Sequence, residues 1–102
     1  MIEEIQKKIG RDQFEFSKHA VDQSIIRSIS VQEVREAILN GEIIENYPKD
    51  KYGPSCLILG KTTKSRPLHI QCSSPSRKRI KIITMYEPDP ARWVEFKKRR
   101  SS

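Results

Sequence analysis

Between residues 42 and 87 the chain states one theme four times. "EIIENYP", "SCLILG", "PLHIQC" and "RIKIITMY" are short apolar runs rich in β-branched and aromatic residues. They are separated by "KDKYGP", "KTTKSR" and "SSPSRK", polar turn-prone connectors too short to hold a crossover helix. Successive strands joined in this way must run antiparallel. The second half is therefore predicted to be a four-stranded antiparallel meander. The first half has to supply the cover for it, with Ile70, Ile82 and Leu57 or Ile58 meeting Val34 and Ile38 in the core.

The first half reads as helices. "IEEIQKKI" spaces Ile2, Ile5 and Ile9 for one helical face, opens with acids, closes with lysines and stops at Gly10. In "SKHAVDQSIIRS", Ser17 is the N-cap and Val21 and Ile25 are the expected buried pair. His19, Gln23 and Arg27 then form a polar stripe, four apart, elsewhere on the helix. "ISVQEVREAILNG" carries a capping box in Ser30 and Glu33, a hydrophobic staple in Ile29 and Val34, and a stop at Asn40-Gly41. After the strands, Asp89 and Pro90 mark the start of a short C-terminal helix bearing Trp93 and Phe96, followed by a frayed basic tail, residues 97–102. The fold class is α+β, with N-terminal helices packed on the sheet, in one domain spanning residues 1–102.

Charge is where function begins to show. Residues 1–60 hold 8 Lys and Arg against 10 Asp and Glu, whereas residues 61–102 hold 12 against 3. A cationic half of this kind suits nucleic acid or an acidic protein partner, because clustered Lys and Arg displace the counterions of a phosphate backbone. The simpler alternative is a solvated face with no partner. The longest apolar run, "CLIL", is far from bilayer length, and the acidic start is unlike a signal peptide, so a cytoplasmic protein without membrane association is expected. Cys56 and Cys72 lie in apolar strand segments, which suits buried free thiols. With no C-x-x-C or H-x₃-H spacing, a metal site is not expected, and no cofactor is implied.

Placing Leu68, Ile70 and Cys72 on one face with Ile80, Ile82 and Thr84 sets a register. It puts Cys72 opposite Ile80, Ile70 opposite Ile82, Gln71 opposite Lys81 and His69 opposite Ile83. His69 and Lys81 then share the other face, with Arg77, Lys78 and Arg79 capping its end. An imidazole beside cations is biased toward its neutral, proton-accepting form; alternatively it is a half-buried histidine bonding a carbonyl. His19 lies where a helix dipole favours phosphate, or is merely part of the helix start. Arg27 is a phosphate clamp or an ion-pair partner of Glu36 or Asp22. Tyr86 alternates with Ile80 and Ile82 and is either core or a general acid. The candidate catalytic set is thus His19, His69, Arg27 and Tyr86, and the candidate nucleic-acid contacts are Gln23, Arg77, Lys78, Arg79 and Lys81. Gly-rich phosphate loops and G-x-S-x-G are missing from the sequence, leaving metal-independent RNA cleavage or a non-catalytic binding module as the two readings.

The segments "HAVDQSIIRSIS", "EVREAILNGEIIENYP", "GPSCLILG", "RPLHI" and "IITMYEPDPARW" resemble the bacterial family called domain of unknown function 4258, with residues 17–96 as its core. The resemblance implies a fold similar to RelE- and BrnT-type toxins and an endoribonuclease of a toxin–antitoxin pair. It further implies a small antitoxin-like protein of zinc-finger type as partner, while single-stranded RNA or mRNA is the substrate that the residue types and the basic face favour. Two positions depart from the family pattern. Gln23 stands where an arginine is common, and "CSSPSRKR" replaces a more acidic turn. The competing reading is an interaction module whose basic sheet docks an acidic protein or the ribosome.

Overall fold

A computed structural model describes residues 1–51, 53–76 and 78–101. In chain order the elements are α1 (Ile2–Gly10), β1 (Phe14–Phe16), α2 (Lys18–Ile26), α3 (Val31–Leu39), β2 (Glu42–Tyr47), β3 (Ser55–Lys61), β4 (Pro67–Ser73), β5 (Ile80–Tyr86), β6 (Trp93–Val94) and β7 (Lys98–Arg99). The expected meander is present as β2 to β5, but the sheet has five strands in the order β1-β5-β4-β3-β2 and is mixed. The added strand is β1, parallel to β5, with Phe14 opposite Ile80 and Phe16 opposite Ile82. Asp12 turns the chain out of α1 with φ 57, and Phe14 and Phe16 then lay their rings against the core. Three residues suffice because the partner strand already exists.

The core forms where the pattern placed it. Ile58, Ile70 and Ile82 lie within one buried cluster with Val34, Ala37 and Ile38 of α3 and Ile5 and Ile9 of α1. The α3 capping box is complete: the Ser30 hydroxyl accepts from the Glu33 N–H at 3.0 Å, and the Glu33 carboxylate accepts from the Ser30 N–H at 3.0 Å. Helix α2 corrects the sequence reading. Val21 and Ile25, expected in the core, are 43% and 73% exposed, while Ala20 is the buried residue. The reason lies in the Ser17 cap. Its N–H donates to the Ile82 carbonyl at 2.9 Å and its hydroxyl to the Ile83 carbonyl at 3.1 Å. These bonds fix the rotation of α2 so that Ala20, Gln23 and Ser24 turn inward, at helical spacing, instead of Val21 and Ile25.

The C-terminal helix is also corrected. Asp89 does cap a turn, accepting from the Ala91 N–H at 2.9 Å through its side chain and from the Trp93 N–H at 3.1 Å through its carbonyl. The chain then leaves the helical path. Glu95 and Phe96 take φ 52 and 64, and the Lys97 N–H donates to the Val94 carbonyl at 3.0 Å, closing a two-residue hairpin between β6 and β7. A turn with two positive φ values has the twist that antiparallel strands require. Burial of Trp93, 4% exposed, against the sheet accompanies the switch. Lys98 and Arg99 therefore belong to a strand, not to a frayed tail.

Candidate functional site

Two β-bulges decide which side chains meet on the sheet face away from α1 and α3. In β5 the pairing steps from Cys72 opposite Ile82 to Gln71 opposite Thr84, which leaves Ile83 as an extra residue. Below the bulge Ile80 and Ile82 face the core; above it Met85 does, and Thr84 and Tyr86 turn to the opposite face. In β2 the pairing steps from Ile43 opposite Ile58 to Glu45 opposite Leu57, skipping Ile44. Glu45 and Tyr47 are thereby moved to that same outer face, where a charged residue can be paired. His69 on β4 lies between them, opposite Leu59 on one side and Tyr86 on the other.

The register expected for β4 and β5 is thus wrong by the bulge. His69 faces Tyr86 instead of Ile83, Ile70 faces Met85 instead of Ile82, and Cys72 faces Ile82 instead of Ile80. Gln71 faces Thr84 and not Lys81, and Thr84 does not share the face of Ile80 and Ile82. Tyr86 likewise leaves that side.

His69 is 0% exposed and held on both nitrogens. Its Nε2 is 2.6 Å from the Phe96 carbonyl oxygen and its Nδ1 3.3 Å from the Tyr86 hydroxyl. A carbonyl only accepts, so Nε2 carries the proton, and the neutral ring offers the bare Nδ1 to the Tyr86 O–H. The Trp93 ring stands edge-on to the imidazole at 4.4 Å between centroids. Burial holds the His69 pKa below its ordinary value, opposed by the Phe96 bond and the Glu45 carboxylate and assisted, less strongly, by Arg99. The sequence reading had the direction, but desolvation is its main cause, and the nearby cation is Arg99 of the hairpin. Burial also raises the Tyr86 phenol.

The hairpin of β6 and β7 is fastened by Arg99. Its Nε and Nη2 donate to the two oxygens of Glu45 at 2.9 and 3.1 Å, and its guanidinium lies 4.7 Å from the Trp93 ring centre. This bidentate bond is the chief cause of a lowered Glu45 pKa. The Tyr47 hydroxyl donates to the same carboxylate, and burial with that carboxylate pushes the phenol up to about 12.

Beside this assembly opens a cleft of about 660 Å³, lined by Arg27, Arg66, Tyr86, Arg92, Trp93 and Arg99 together with the acids Glu87 and Asp89. The arginines have different duties. Arg66 is a brace: it donates to the carbonyls of Ser28 and Arg27 at 2.8 and 3.1 Å and to Glu33 and Glu87 at 3.0 and 3.2 Å. Arg27 donates through Nη1 to the Met85 carbonyl at 2.8 Å and lies 5.8 Å from the Tyr86 ring centre. That bond replaces the ion pair with Glu36 or Asp22 considered from sequence. Arg92 stands exposed at the rim. An open cleft with several guanidiniums and a phenol is suited to a phosphate or carboxylate group.

Of the candidate residues, the structure brings together Arg27, Tyr86 and His69. His19 is exposed at the other end of α2 and lines a separate pocket of about 500 Å³ with Ser17, Lys81 and Ile83. Eight residues of helix separate it from Arg27, about 12 Å. Gln23 lies half-buried between them. Lys78 and Arg79 are exposed at the start of β5, Arg79 donating to the Phe14 carbonyl at 3.2 Å, and Lys81 pairs with Glu15 at 3.5 Å. They are a strand length from Tyr86, on the order of 20 Å, so they do not adjoin His69. Arg77 lies outside the described residues. Sequence reasoning missed Arg66, Arg92, Arg99, Glu45 and the Phe96 carbonyl. "KKRR" carried the signal for Arg99, but a charge run at a chain end looks like solvated tail whether or not it folds back.

Among the described residues no three or more His, Cys, Asp or Glu side chains are grouped to hold a metal ion, and no helix is long and apolar enough to cross a membrane. No curated protein and no solved structure matches the chain. Residues 16–87, from the end of β1 through β5 to the first residue beyond Tyr86, match the family described as a domain of unknown function, DUF4258. The matched stretch holds α2, α3, strands β2 to β5 and the cleft walls from Arg27 to Glu87, and the protein thus belongs to the DUF4258 family.

Proposed function

We propose that the cleft binds the phosphodiester backbone of single-stranded RNA and that the protein cuts it without a metal ion, as a toxin-like endoribonuclease of RelE or BrnT type. The observation that supports this best is the Tyr86–His69 pair: a phenol at an arginine-lined cleft, backed by a buried imidazole whose free lone pair is turned toward it. In this reading Tyr86 is the group that meets RNA. Its oxygen takes the proton of the 2′-hydroxyl while its own proton passes to His69 Nδ1. The 2′-oxygen attacks phosphorus and the 5′-oxygen departs, protonated by water in the open cleft. Arg27 and Arg92 offset the charge gathering on the phosphorane. His69 acts through Tyr86, since it has no exposed surface of its own. Lys78, Arg79 and Lys81, with His19 nearby, extend the cationic track for the rest of the strand. A small antitoxin-like protein, of zinc-finger type, is the partner this reading calls for, with the ribosome as a possible platform, and the cytoplasm as the setting.

The test is incubation of purified protein with single-stranded RNA, alone and with ribosomes, in EDTA, followed by analysis of the product ends. A 2′,3′-cyclic phosphate and a 5′-hydroxyl, lost in Tyr86→Phe, are expected. A second reading is favoured by the commitment of Arg66 and Arg99 to carboxylates and by the burial of His69: a non-catalytic module that docks an acidic protein or ribosomal surface. Intact RNA under every condition, with a complex that Arg27→Ala and Arg92→Ala weaken, would decide for it.

A further inference from the structure

Away from the cleft, on the helix-covered face of the sheet, two thiols stand side by side. Cys56 on β3 is the direct cross-strand partner of Cys72 on β4, with their sulfurs 3.9 Å apart. Direct partners in an antiparallel pair have Cα atoms about 4.5–5.5 Å apart. A disulfide spans roughly 4.4–6.8 Å. Joining the sulfurs therefore asks for side-chain rotation and leaves the strands where they are. Both thiols are buried in the core cluster, Cys56 2% and Cys72 0% exposed, and Cys56 borders a cavity of about 200 Å³ whose wall includes Asn46, Pro48, Pro54 and Ser74. Their mutual hydrogen bond shifts them in opposite directions: it lowers the Cys56 pKa, and with burial it raises that of Cys72. One sulfur thus has the lower pKa of the two and lies at the wall of a cavity large enough for a small oxidant. The other is a shielded thiol in contact with it.

We propose that Cys56 and Cys72 form a reversible dithiol–disulfide couple in which Cys56 is the peroxide-reactive sulfur and Cys72 the resolving one. The Cys56 thiolate attacks one oxygen of hydrogen peroxide and the O–O bond breaks. That oxygen stays on sulfur as a sulfenic acid, while the other leaves as hydroxide and takes up the proton Cys56 had released. The Cys72 sulfur then attacks the sulfenic sulfur; the S–S bond forms, the S–O bond breaks, and the departing hydroxide takes the Cys72 proton. Two thiols and one peroxide yield one disulfide and two waters. The product ties β3 to β4 on the side opposite His69 and does not depend on the RNA reading.

Full-length protein treated with one equivalent of hydrogen peroxide near neutral pH is expected to lose two hydrogens by intact mass. Peptide mapping should join Cys56 to Cys72, and dithiothreitol should restore the mass. In Cys72→Ser the sulfenic acid has no resolving partner, so dimedone should label position 56; in Cys56→Ser it should leave position 72 unlabelled. The parent protein alone supplies a further check. Because the fold supplies both the activated sulfur and its neighbour, the folded chain should form the bond about tenfold or more faster than the same chain in urea. Faster reaction in urea, disulfides between molecules, or addition of two or three oxygens without a crosslink would each overturn the proposal.

Discussion

A β-carbon added to Gly60 would stand 1.8 Å from the carbonyl oxygen of Ala37. Strand β3 and helix α3 therefore touch backbone to backbone at this point. Asn40 seals the junction, accepting from the Lys61 N–H at 3.2 Å and donating to its carbonyl at 2.7 Å. Gly60→Ala is expected to destabilise the protein by about 1–3 kcal/mol, as overfilled contacts do. Gly10→Ala, whose nearest neighbour is Leu39 Cδ2 at 4.0 Å, should be neutral or gain up to about 1 kcal/mol. Urea denaturation of the two variants checks this, and equal effects would rule out the close approach.

His69 should make stability depend on pH in a defined window. Its folded pKa lies below the ordinary 6.5, so between the two values the unfolded chain binds a proton that the folded chain refuses. Stability then rises with pH; the contribution is complete above about 6.5 and is lost as pH falls toward the folded value. Glu45, whose folded pKa is depressed, acts only in the more acidic range below the ordinary 4.5. Denaturation of the parent from pH 7.5 to 5.5 should show the slope, and His69→Gln should flatten it whatever its overall stability. An unchanged slope in the variant would mean that the imidazole is not held neutral by burial.

Cleft variants should separate binding from chemistry. Arg27→Ala is expected to weaken RNA affinity and reduce the slope of log affinity against log salt by about one. Tyr86→Phe should leave affinity within about twofold and slow cleavage on the order of a hundredfold. Binding titrations at several salt concentrations, paired with single-turnover cleavage, distinguish the two. Loss of affinity in Tyr86→Phe equal to its loss of rate would assign the phenol to binding.

The Glu45 carboxylate should be readable in a tyrosine titration. Tyr47 is held up to about 12 by burial and by that carboxylate. Ultraviolet titration of Glu45→Gln should show this phenol moving down while staying above the ordinary 10.0, because its burial remains; Tyr47→Phe identifies the transition. No movement would show that the carboxylate contributes nothing to the phenol's raised pKa.

What the sequence showed plainly was whatever depends on local pattern. The Ser30–Glu33 cap, the Ile5 and Ile9 stripe and the shared face of Ile70 and Ile82 all follow from spacing and appear in the fold, whereas the unbroken apolar run of β3 left Leu57 and Ile58 equivalent and Ile58 is the one in the core cluster. Parity past a bulge does not. "IKIITMY" alternates without interruption as text, and the extra residue at Ile83 is fixed by bonds from Ser17, more than sixty positions earlier. Helix α2 misled for the same reason, its rotation being set by that distant contact and not by its own apolar residues. The Asp89-Pro90 start signal was real but local, and one turn later Trp93 enters a hairpin against the sheet. The site was therefore half visible: Arg27, Tyr86 and His69 could be named, but the hairpin that packs around His69 could not.

The bond from His69 Nε2–H ends on the main chain of Phe96, which has implications for how this corner of the protein can vary. A carbonyl is present whatever side chain position 96 carries. The proton's location on the imidazole is thus insulated from most single-residue replacements there, provided the new residue accepts the positive φ. A change in length is another matter. One residue inserted between Val94 and Lys97 would carry the carbonyl away and free the ring to exchange tautomers, so divergence at this turn can proceed by substitution but is halted by insertion.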